Sequence, residues 1–176
     1  MPNKRHSAHA IHGGFTLIEL VIGMLVIAVG IVMLTSMLFP QADRAAATLQ
    51  RVRSAELAHS VMNEIWGKRY DQNTNANGGV PACNAPAGLS CSAASLLGND
   101  GENRDAFNDV DDYQGLSEAS NMLNSSQTYA QAYPGFKLSV TVSYLDATTQ
   151  AEKLITVDVT TPANEVITYQ AVRSNY

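Results

Sequence analysis

Residues 14–39 read GFTLIELVIGMLVIAVGIVMLTSMLF, and this stretch decides the architecture of the chain. From Leu20 to Phe39 no residue is charged, and only Thr35 and Ser36 carry polar side chains. A helix of that length spans roughly 30 Å, about the thickness of the hydrocarbon core of a bilayer. The sequence therefore predicts a membrane-spanning helix, and it argues against a wholly cytosolic globular enzyme.

The whole chain has 176 residues, which is enough for one modest domain beside such a helix. Its formal net charge is −5, and its Lys and Arg residues are scattered along the sequence. Nucleic-acid binding needs a clustered basic face. We therefore expect no nucleic-acid partner.

The segment before the apolar stretch, residues 1–14, is short and polar, and Lys4 and Arg5 are its only formal charges. Positive charge beside an apolar segment holds that end in the cytoplasm. A secretory signal peptide places its apolar stretch before a cleavage site of small residues, whereas here the small pair Gly13-Gly14 comes first. Cleavage after Gly14 would keep the helix in the mature chain, so the helix is predicted to be an anchor.

Glu19 is the one acidic residue at the start of the apolar stretch. A carboxylate costs a few kcal/mol at the centre of a membrane helix and less near an end, and such residues are usually paired or functional. Position alone is equally compatible with a charge at the headgroup boundary that the helix dipole favours. Both interpretations stay open on these grounds.

The string GFTLIEL of residues 14–20, followed by an apolar helix and preceded by a short basic segment, resembles the class III signal of type IV prepilins and pseudopilins. The resemblance implies that prepilin peptidase cleaves between Gly14 and Phe15 and methylates the new amine of Phe15. It also implies that Glu19 pairs with the Phe15 amine of a neighbouring subunit during assembly. Two buried charges are each costly alone and tolerable together.

The same resemblance implies partners and a location. The partners are other pilin subunits, prepilin peptidase, the inner-membrane pilus assembly machinery and the lipid bilayer. The expected location is the bacterial inner membrane, crossed once with the C-terminal head in the periplasm, and then the extracellular fibre.

Beyond Pro40, the composition from Gln41 to about Arg69 is strongly helical. Small and apolar residues recur at steps of three and four and predict an amphipathic stripe: Ala45, Leu49, Val52, Ala55, Ala58, Met62 and Ile65. We predict one long helix from Phe15 to Trp66 with an irregularity at Pro40, since proline kinks or breaks helices. Its second half is predicted to cover a globular head.

The stretch from Tyr70 to about Gly135 has no regular period, and it contains the only two cysteines, Cys83 and Cys91. In a cell-surface domain this pair is expected to form a disulfide, worth about 2.5 kcal/mol for so short a loop. A zinc site is disfavoured because two thiols need two more ligands, and His59 is the only histidine outside residues 1–14.

From Phe136 the period of the apolar residues changes to two. Three strands are predicted, Phe136–Tyr144, Leu154–Thr160 and Val166–Val172, joined by short polar turns. Consecutive strands with short connections form an antiparallel meander, whose apolar face needs a cover. The predicted fold is α+β, with the amphipathic half of the long helix laid on this sheet.

Together these features predict four segments. Residues 1–14 form a prepilin leader, and residues 15–39 form the transmembrane or fibre-core helix. Residues 40–70 form the amphipathic half of the helix, and residues 71–176 form an extracytoplasmic head.

Six carboxylates lie within residues 100–112: Asp100, Glu102, Asp105, Asp109, Asp111 and Asp112. Their spacing does not fit an EF-hand loop. We expect a solvated acidic loop in which Arg104 pairs with one or two of them, and calcium binding is the alternative.

Catalytic patterns are absent from the sequence. There is no His-Glu-x-x-His pattern, no phosphate-binding glycine loop, and no Ser or Cys in a nucleophile motif. His6, His9 and His12 lie in the predicted leader and would leave with it. We therefore expect no enzyme activity, no cofactor and no metal site.

Segments of the head carry a narrower resemblance, to minor pilins of the mannose-sensitive haemagglutinin (MSHA) kind. They are residues 101–104, residues 107–116 and residues 153–162, together with the cysteine loop after Gly78-Gly79. The resemblance implies a non-catalytic minor subunit that supports pilus assembly and surface adhesion. Two alternatives remain, a type II secretion pseudopilin and a single-pass membrane-anchored binding protein.

Overall fold

The computed structural model describes residues 14–77 and 79–176. The predicted leader, with Lys4, Arg5 and its three histidines, lies outside these residues except for Gly14. The chain divides into two compact units, Met1–Ala45 and Ala46–Tyr176. Each unit is described by itself.

The first α-helix, α1 (Leu17–Trp66), begins two residues later than predicted and ends at the predicted residue. The helical assignment continues through Pro40, so the proline does not break the helix. Every large apolar side chain from Phe15 to Phe39 is exposed. The hydroxyls of Thr35 and Ser36 donate to carbonyls three or four residues earlier in the helix, so these polar groups are satisfied within it.

The second unit holds a three-stranded antiparallel sheet in the order β1-β2-β3. Its strands are β1 (Lys137–Tyr144), β2 (Glu152–Thr160) and β3 (Val166–Ser174). Lys137 pairs with Thr160, and Thr160 pairs with Val166, which fixes both registers. The predicted meander and the α+β fold are confirmed. A short helix, α2 (Tyr129–Ala132), precedes the sheet and has a capping box formed by Thr128 and Gln131.

One face of the sheet packs on the second half of α1. Leu138, Val140 and Val142 of β1 lie in the same core as Ile155, Val157 and Val159 of β2. The alternation of buried and exposed positions along β1 follows from the period of two in its sequence. The face of α1 in this core consists of Ser54, Leu57, Ala58, Val61, Met62 and Ile65.

The predicted stripe on α1 is correct at Ala58, Met62 and Ile65. Ala55 is half-buried, and the prediction is wrong at Ala45, Leu49 and Val52, which are exposed. At about 100° per residue, Leu49 and Val52 lie roughly 140° and 160° around the helix from the buried Ser54. The predicted stripe therefore moves around the helix along its length. Leu49 and Val52 lie away from the core, and only the later residues of the stripe, such as Ala58 and Met62, lie in it.

The irregular segment between α1 and β1 folds over the end of the helix. It contains three 3₁₀ turns, Ala94–Leu96, Arg104–Ala106 and Asp111–Tyr113. Phe107, Val110, Tyr113 and Leu116 from this segment enter the main core. The three strands and the helix leave one side of the core uncovered. The apolar side chains of the irregular segment cover that side.

Candidate functional site

The N-terminal candidate site begins where α1 begins. Gly14, Phe15 and Thr16 precede the helix and are exposed. The Oγ1 atom of Thr16 accepts a hydrogen bond from the Glu19 backbone N–H at 3.3 Å, and the Thr16 carbonyl accepts from the Leu20 N–H at 3.2 Å. Thr16 therefore caps the helix, and the Gly14–Phe15 peptide bond lies in exposed chain just outside it.

Glu19 lies in the first turn of α1, where the helix dipole favours a negative charge. Its side chain is exposed. Among residues 14–77 and 79–176, no hydrogen bond or ion pair reaches its carboxylate. The capping geometry accounts for the backbone of Glu19 and leaves the carboxylate open to a group from outside the chain.

The apolar part of α1 contains an 18-residue window with a mean hydropathy of 2.8, none of it buried. By length and composition this helix could cross a membrane, a criterion that a signal sequence near the N-terminus also meets. The predicted cleavage at Gly14–Phe15, the methylation of Phe15 and the assembly role of Glu19 stay predictions.

The head contains a second candidate site, built around Lys153 of β2. The Lys153 side chain has no exposed surface. Its ammonium Nζ lies 2.5 Å from Asp111 Oδ1, 3.2 Å from Asp71 Oδ2 and 2.8 Å from the Tyr70 carbonyl oxygen. An ammonium has three N–H donors, and these three acceptors use them all.

Two aromatic rings enclose this ammonium. Nζ of Lys153 lies 4.5 Å from the ring centre of Tyr70 and 5.3 Å from that of Tyr144, within the range of cation–π attraction. The Tyr144 hydroxyl donates its one proton to the Ser92 carbonyl at 2.8 Å, and Asp71 Oδ2 lies 3.3 Å away as a second, longer acceptor of the same proton. Burial, and then the charge of Asp71, raises the pKa of both tyrosines, so both remain neutral. We call Lys153, Asp71, Asp111, Tyr70 and Tyr144 the lysine cluster.

The carboxylates around Lys153 have different pKa values. Burial alone would raise the pKa of Asp71, but the Lys153 ammonium and the N–H groups of Asn73 and Ser92 outweigh it and lower that pKa. Burial, followed by the charges of Asp111 and Asp112, raises the pKa of Asp109 to about 8. Asp109 Oδ2 is buried without a hydrogen-bond partner. A protonated Asp109 avoids leaving an unpaired charge in the interior.

A separate ion pair lies under the last turns of α1. The Arg104 guanidinium donates to both oxygens of Glu64, at 2.6 Å and 2.7 Å. Glu64 Oε1 also accepts from the Tyr113 hydroxyl, and the guanidinium also donates to the Tyr129 hydroxyl. This bidentate pair joins α1 to the irregular segment.

The prediction for the acidic segment is half wrong. Asp100 and Asp105 are exposed as expected, but Asp109, Asp111 and Asp112 are buried, and Arg104 pairs with Glu64 of α1 instead of with these acids. The physical reason is Lys153, which neutralises Asp111. Backbone N–H groups hold Asp112: its Oδ2 accepts from the N–H groups of Asn108 and Asp109.

The predicted disulfide between Cys83 and Cys91 is confirmed. Within the described residues, one group of side chains brings three potential ligand atoms within 4.8 Å of one another, and it consists of Asp71, Cys83 and Cys91. The disulfide removes both thiolates, which are the form of cysteine that binds metals. With the disulfide formed, these three residues therefore have a structural role and are not a metal site.

Sequence reasoning missed Lys153 because the second strand was predicted to begin at Leu154. The alternation places Lys153 on the same face as Ile155, Val157 and Val159, all of them buried. A lysine at an inward position of a strand needs a buried anionic partner, and the nearby run of acids was the available signal. His59 is exposed on α1.

A comparison of this chain with protein-family models, curated proteins and solved structures finds no match.

Proposed function

We propose that this chain is a non-catalytic minor subunit of a type IV pilus of the MSHA kind, most similar to the minor pilin MshD. It supports fibre assembly and surface adhesion. In this proposal prepilin peptidase cuts after Gly14, Phe15 becomes the methylated N-terminus, and α1 anchors the subunit in the inner membrane before it enters the fibre.

The observation that carries the proposal is the state of Glu19. Its carboxylate lies in the first turn of a helix whose apolar side chains are all exposed as far as Phe39, and no described group of its own chain pairs with it. In an apolar medium this charge needs a cation. A neighbour's Phe15 amine would supply that cation and would fix the axial register between subunits.

One feature of the head supports the extracytoplasmic part of the proposal. The Cys83–Cys91 disulfide suits an oxidising compartment. The segments 107–116 and 153–162, which carry the narrower resemblance, are joined by the Lys153–Asp111 ion pair. The two segments on which the narrower resemblance rests are therefore in contact in the head.

The first test is the N-terminus of the mature chain from its native host. Intact-protein mass spectrometry should find N-methyl-Phe15 as the first residue. A membrane-resident form that keeps Met1 would contradict the proposal and would favour the alternative of a single-pass membrane-anchored binding protein.

The second test is Glu19→Gln, which removes the charge and keeps the size. We expect normal cleavage and a strong loss of the subunit from sheared fibres. The matched control is Glu56→Gln, which changes an exposed acid elsewhere on α1. Wild-type incorporation of Glu19→Gln would contradict the pairing role.

The type II secretion pseudopilin shares the same N-terminal signal. Deletion of the gene distinguishes the two assignments. Loss of surface fibres supports the pilus subunit, whereas loss of protein secretion with fibres intact supports the pseudopilin.

A further inference from the structure

The two edges of the sheet differ in whether their outward backbone groups are hydrogen-bonded. The edge formed by β1 is covered by other residues of the chain. Its outward N–H groups find partners in residues 114–118. Leu138 donates to Glu118 Oε2, Val140 to the Leu116 carbonyl, and Val142 to Gln114 Oε1. Such cover prevents other strands from adding to an edge.

The hydrogen bonds at both ends of β3 show which of its residues face outward. Thr161 N–H donates to the Glu165 carbonyl, and Asn175 N–H donates to the Ala151 carbonyl. In an antiparallel ladder these bonded pairs recur every second residue, so odd-numbered residues of β3 face β2. The backbone groups that point to the open edge belong to Val166, Thr168, Gln170, Val172 and Ser174.

No hydrogen bond from the part of the chain that the structure describes reaches these outward backbone N–H groups. The strand is nine residues long, and Val166–Val172 carries no charge. Natural edge strands of this length are usually interrupted by charges, proline or bulges. A long, neutral and uncovered edge beside a carefully covered one indicates a surface kept for a partner strand.

A groove runs beside the open edge on the helix side of the sheet. It has a volume of about 460 Å³ and is lined by His59, Met62, Asn63 and Trp66 of α1 and by Tyr169 and Ala171 of β3, among others. A strand added to β3 would direct alternate side chains towards this groove. The volume of the groove is larger than that of a single aliphatic or aromatic side chain.

The ends of the open edge carry opposite charges. Glu165 precedes β3, and Arg173 lies near its end. Both are odd-numbered, like Tyr169 and Ala171, so their side chains lie on the same face of the sheet, the face that packs on α1. The Glu165 side chain stays 39% exposed although it pairs with Arg51. The Arg173 guanidinium lies over the rings of Trp66 and Tyr176, one of its outer nitrogens donates to the Lys68 carbonyl, and its Nε is buried without a hydrogen-bond partner. An added antiparallel strand centred on Tyr169 would match these charges if it carried a basic residue opposite Glu165 and an acidic residue opposite Arg173.

We propose that the β3 edge binds an extended segment of another polypeptide as an antiparallel fourth strand. The segment is uncharged and apolar in its middle, with an acid before this stretch and a base after it. The proposal does not depend on the assignment as a pilus subunit. A strand with the pattern of β3 itself has this chemistry, because two antiparallel copies place Glu165 of each opposite Arg173 of the other.

The test uses the full chain in detergent micelles and a capped 12-residue peptide with the sequence of residues 164–175. Residue-resolved amide hydrogen exchange should slow at least tenfold at Val166, Thr168, Gln170 and Val172 when the peptide is saturating. A peptide with its Glu and Arg exchanged should bind about fivefold more weakly, since two opposite-charge pairs become like-charge pairs. Unchanged exchange, or equal binding of both peptides, would overturn the proposal.

Gln170→Pro provides the matched variant, with Gln170→Ala as its control. Proline removes one outward N–H without removing a bond to β2, a position that edge strands tolerate. We expect Gln170→Pro to abolish peptide binding and Gln170→Ala to retain it. If Gln170→Pro loses its native near-UV circular dichroism, Thr168→Lys replaces it, because a charge in mid-edge blocks strand addition. Peptide binding by the folded blocking variant at wild-type strength would overturn the proposal.

Discussion

Two stretches of the same helix differ in what surrounds their apolar side chains. Between Phe15 and Phe39 every large apolar side chain is exposed, whereas Leu57, Val61 and Ile65 are almost completely buried against the sheet. The first stretch needs an apolar environment from outside the chain, and the second provides the core of the head. Helix formation is therefore common to both, and the pattern of side chains decides which surroundings each requires.

The comparison predicts that changes in the head alter its stability and that equivalent changes in the apolar stretch do not. Trp66 and all seven tyrosines lie beyond residue 65. Near-UV circular dichroism of the full chain in micelles therefore follows the unfolding of the head.

The largest effect is expected from Lys153→Met. Removing the ammonium leaves Asp71 and Asp111 buried without their cation, and breaking a buried pair in this way costs about 3–5 kcal/mol. Urea unfolding should show this loss in the free energy of unfolding. Lys137→Met, an exposed lysine of β1, is the control, and similar losses in the two variants would contradict the role of the lysine cluster.

Leu57→Ala should cost about 2–4 kcal/mol, because it leaves a cavity in the core between α1 and the sheet. Leu49→Ala, on the exposed face of α1, and Leu25→Ala, in the apolar stretch, should each change the free energy of unfolding of the head by less than about 0.5 kcal/mol. The same urea titration compares all three. A large loss of stability in Leu49→Ala would contradict the exposure of Leu49 and would support the buried face that was predicted from the sequence.

The double variant Cys83→Ser/Cys91→Ser should lose about 2.5 kcal/mol, because a closed loop of this size restricts the unfolded chain. Addition of a reductant to the wild-type chain should give the same loss. A reductant effect that persists in the serine variant would show that the disulfide is not its cause.

A pH dependence caused by Asp109 is also expected, spread over several pH units. Its folded pKa of about 8 lies above the ordinary value near 3.9, so between these values the folded head binds more protons than the unfolded chain. Stability should therefore fall as pH rises from about 5 to 8, by at most about 1.4 kcal/mol per pH unit. Below pH 4 the lowered pKa of Asp71 acts in the opposite direction, and stability falls as pH decreases.

Asp109→Asn tests this assignment. The amide cannot ionise, so the decline between pH 5 and 8 should flatten in urea titrations at several pH values. An unchanged slope would assign the effect to another group.

The regular elements were predictable because their sequence periods are local. The long helix that ends at Trp66, the three strands and the disulfide all follow from neighbouring residues or from a pair of cysteines. The faces were harder to predict. Leu49 and Val52 belong to the same series of three- and four-residue steps as Ala58, but they lie on a different face of the helix. Only the contact with the sheet determines which face is buried.

The ionic contacts of the head could not be predicted because they join residues far apart in sequence. Lys153 meets Asp111 and Asp71 from 42 and 82 positions away, and Arg104 meets Glu64 from 40 positions away. Charge composition suggested a solvated acidic loop, since an acid without a visible partner is usually solvated. The inward position of Lys153 on β2 was the one local sign that a buried cation was available.

We expect the bidentate contact between Glu64 and Arg104 also to affect how the head resists a pulling force on α1. The contact joins α1 to the irregular segment by two hydrogen bonds, and Glu64 also accepts one from the Tyr113 hydroxyl. Optical-tweezers extension should therefore show a lower rupture force for Arg104→Lys, which replaces the two-pronged contact by a single point charge.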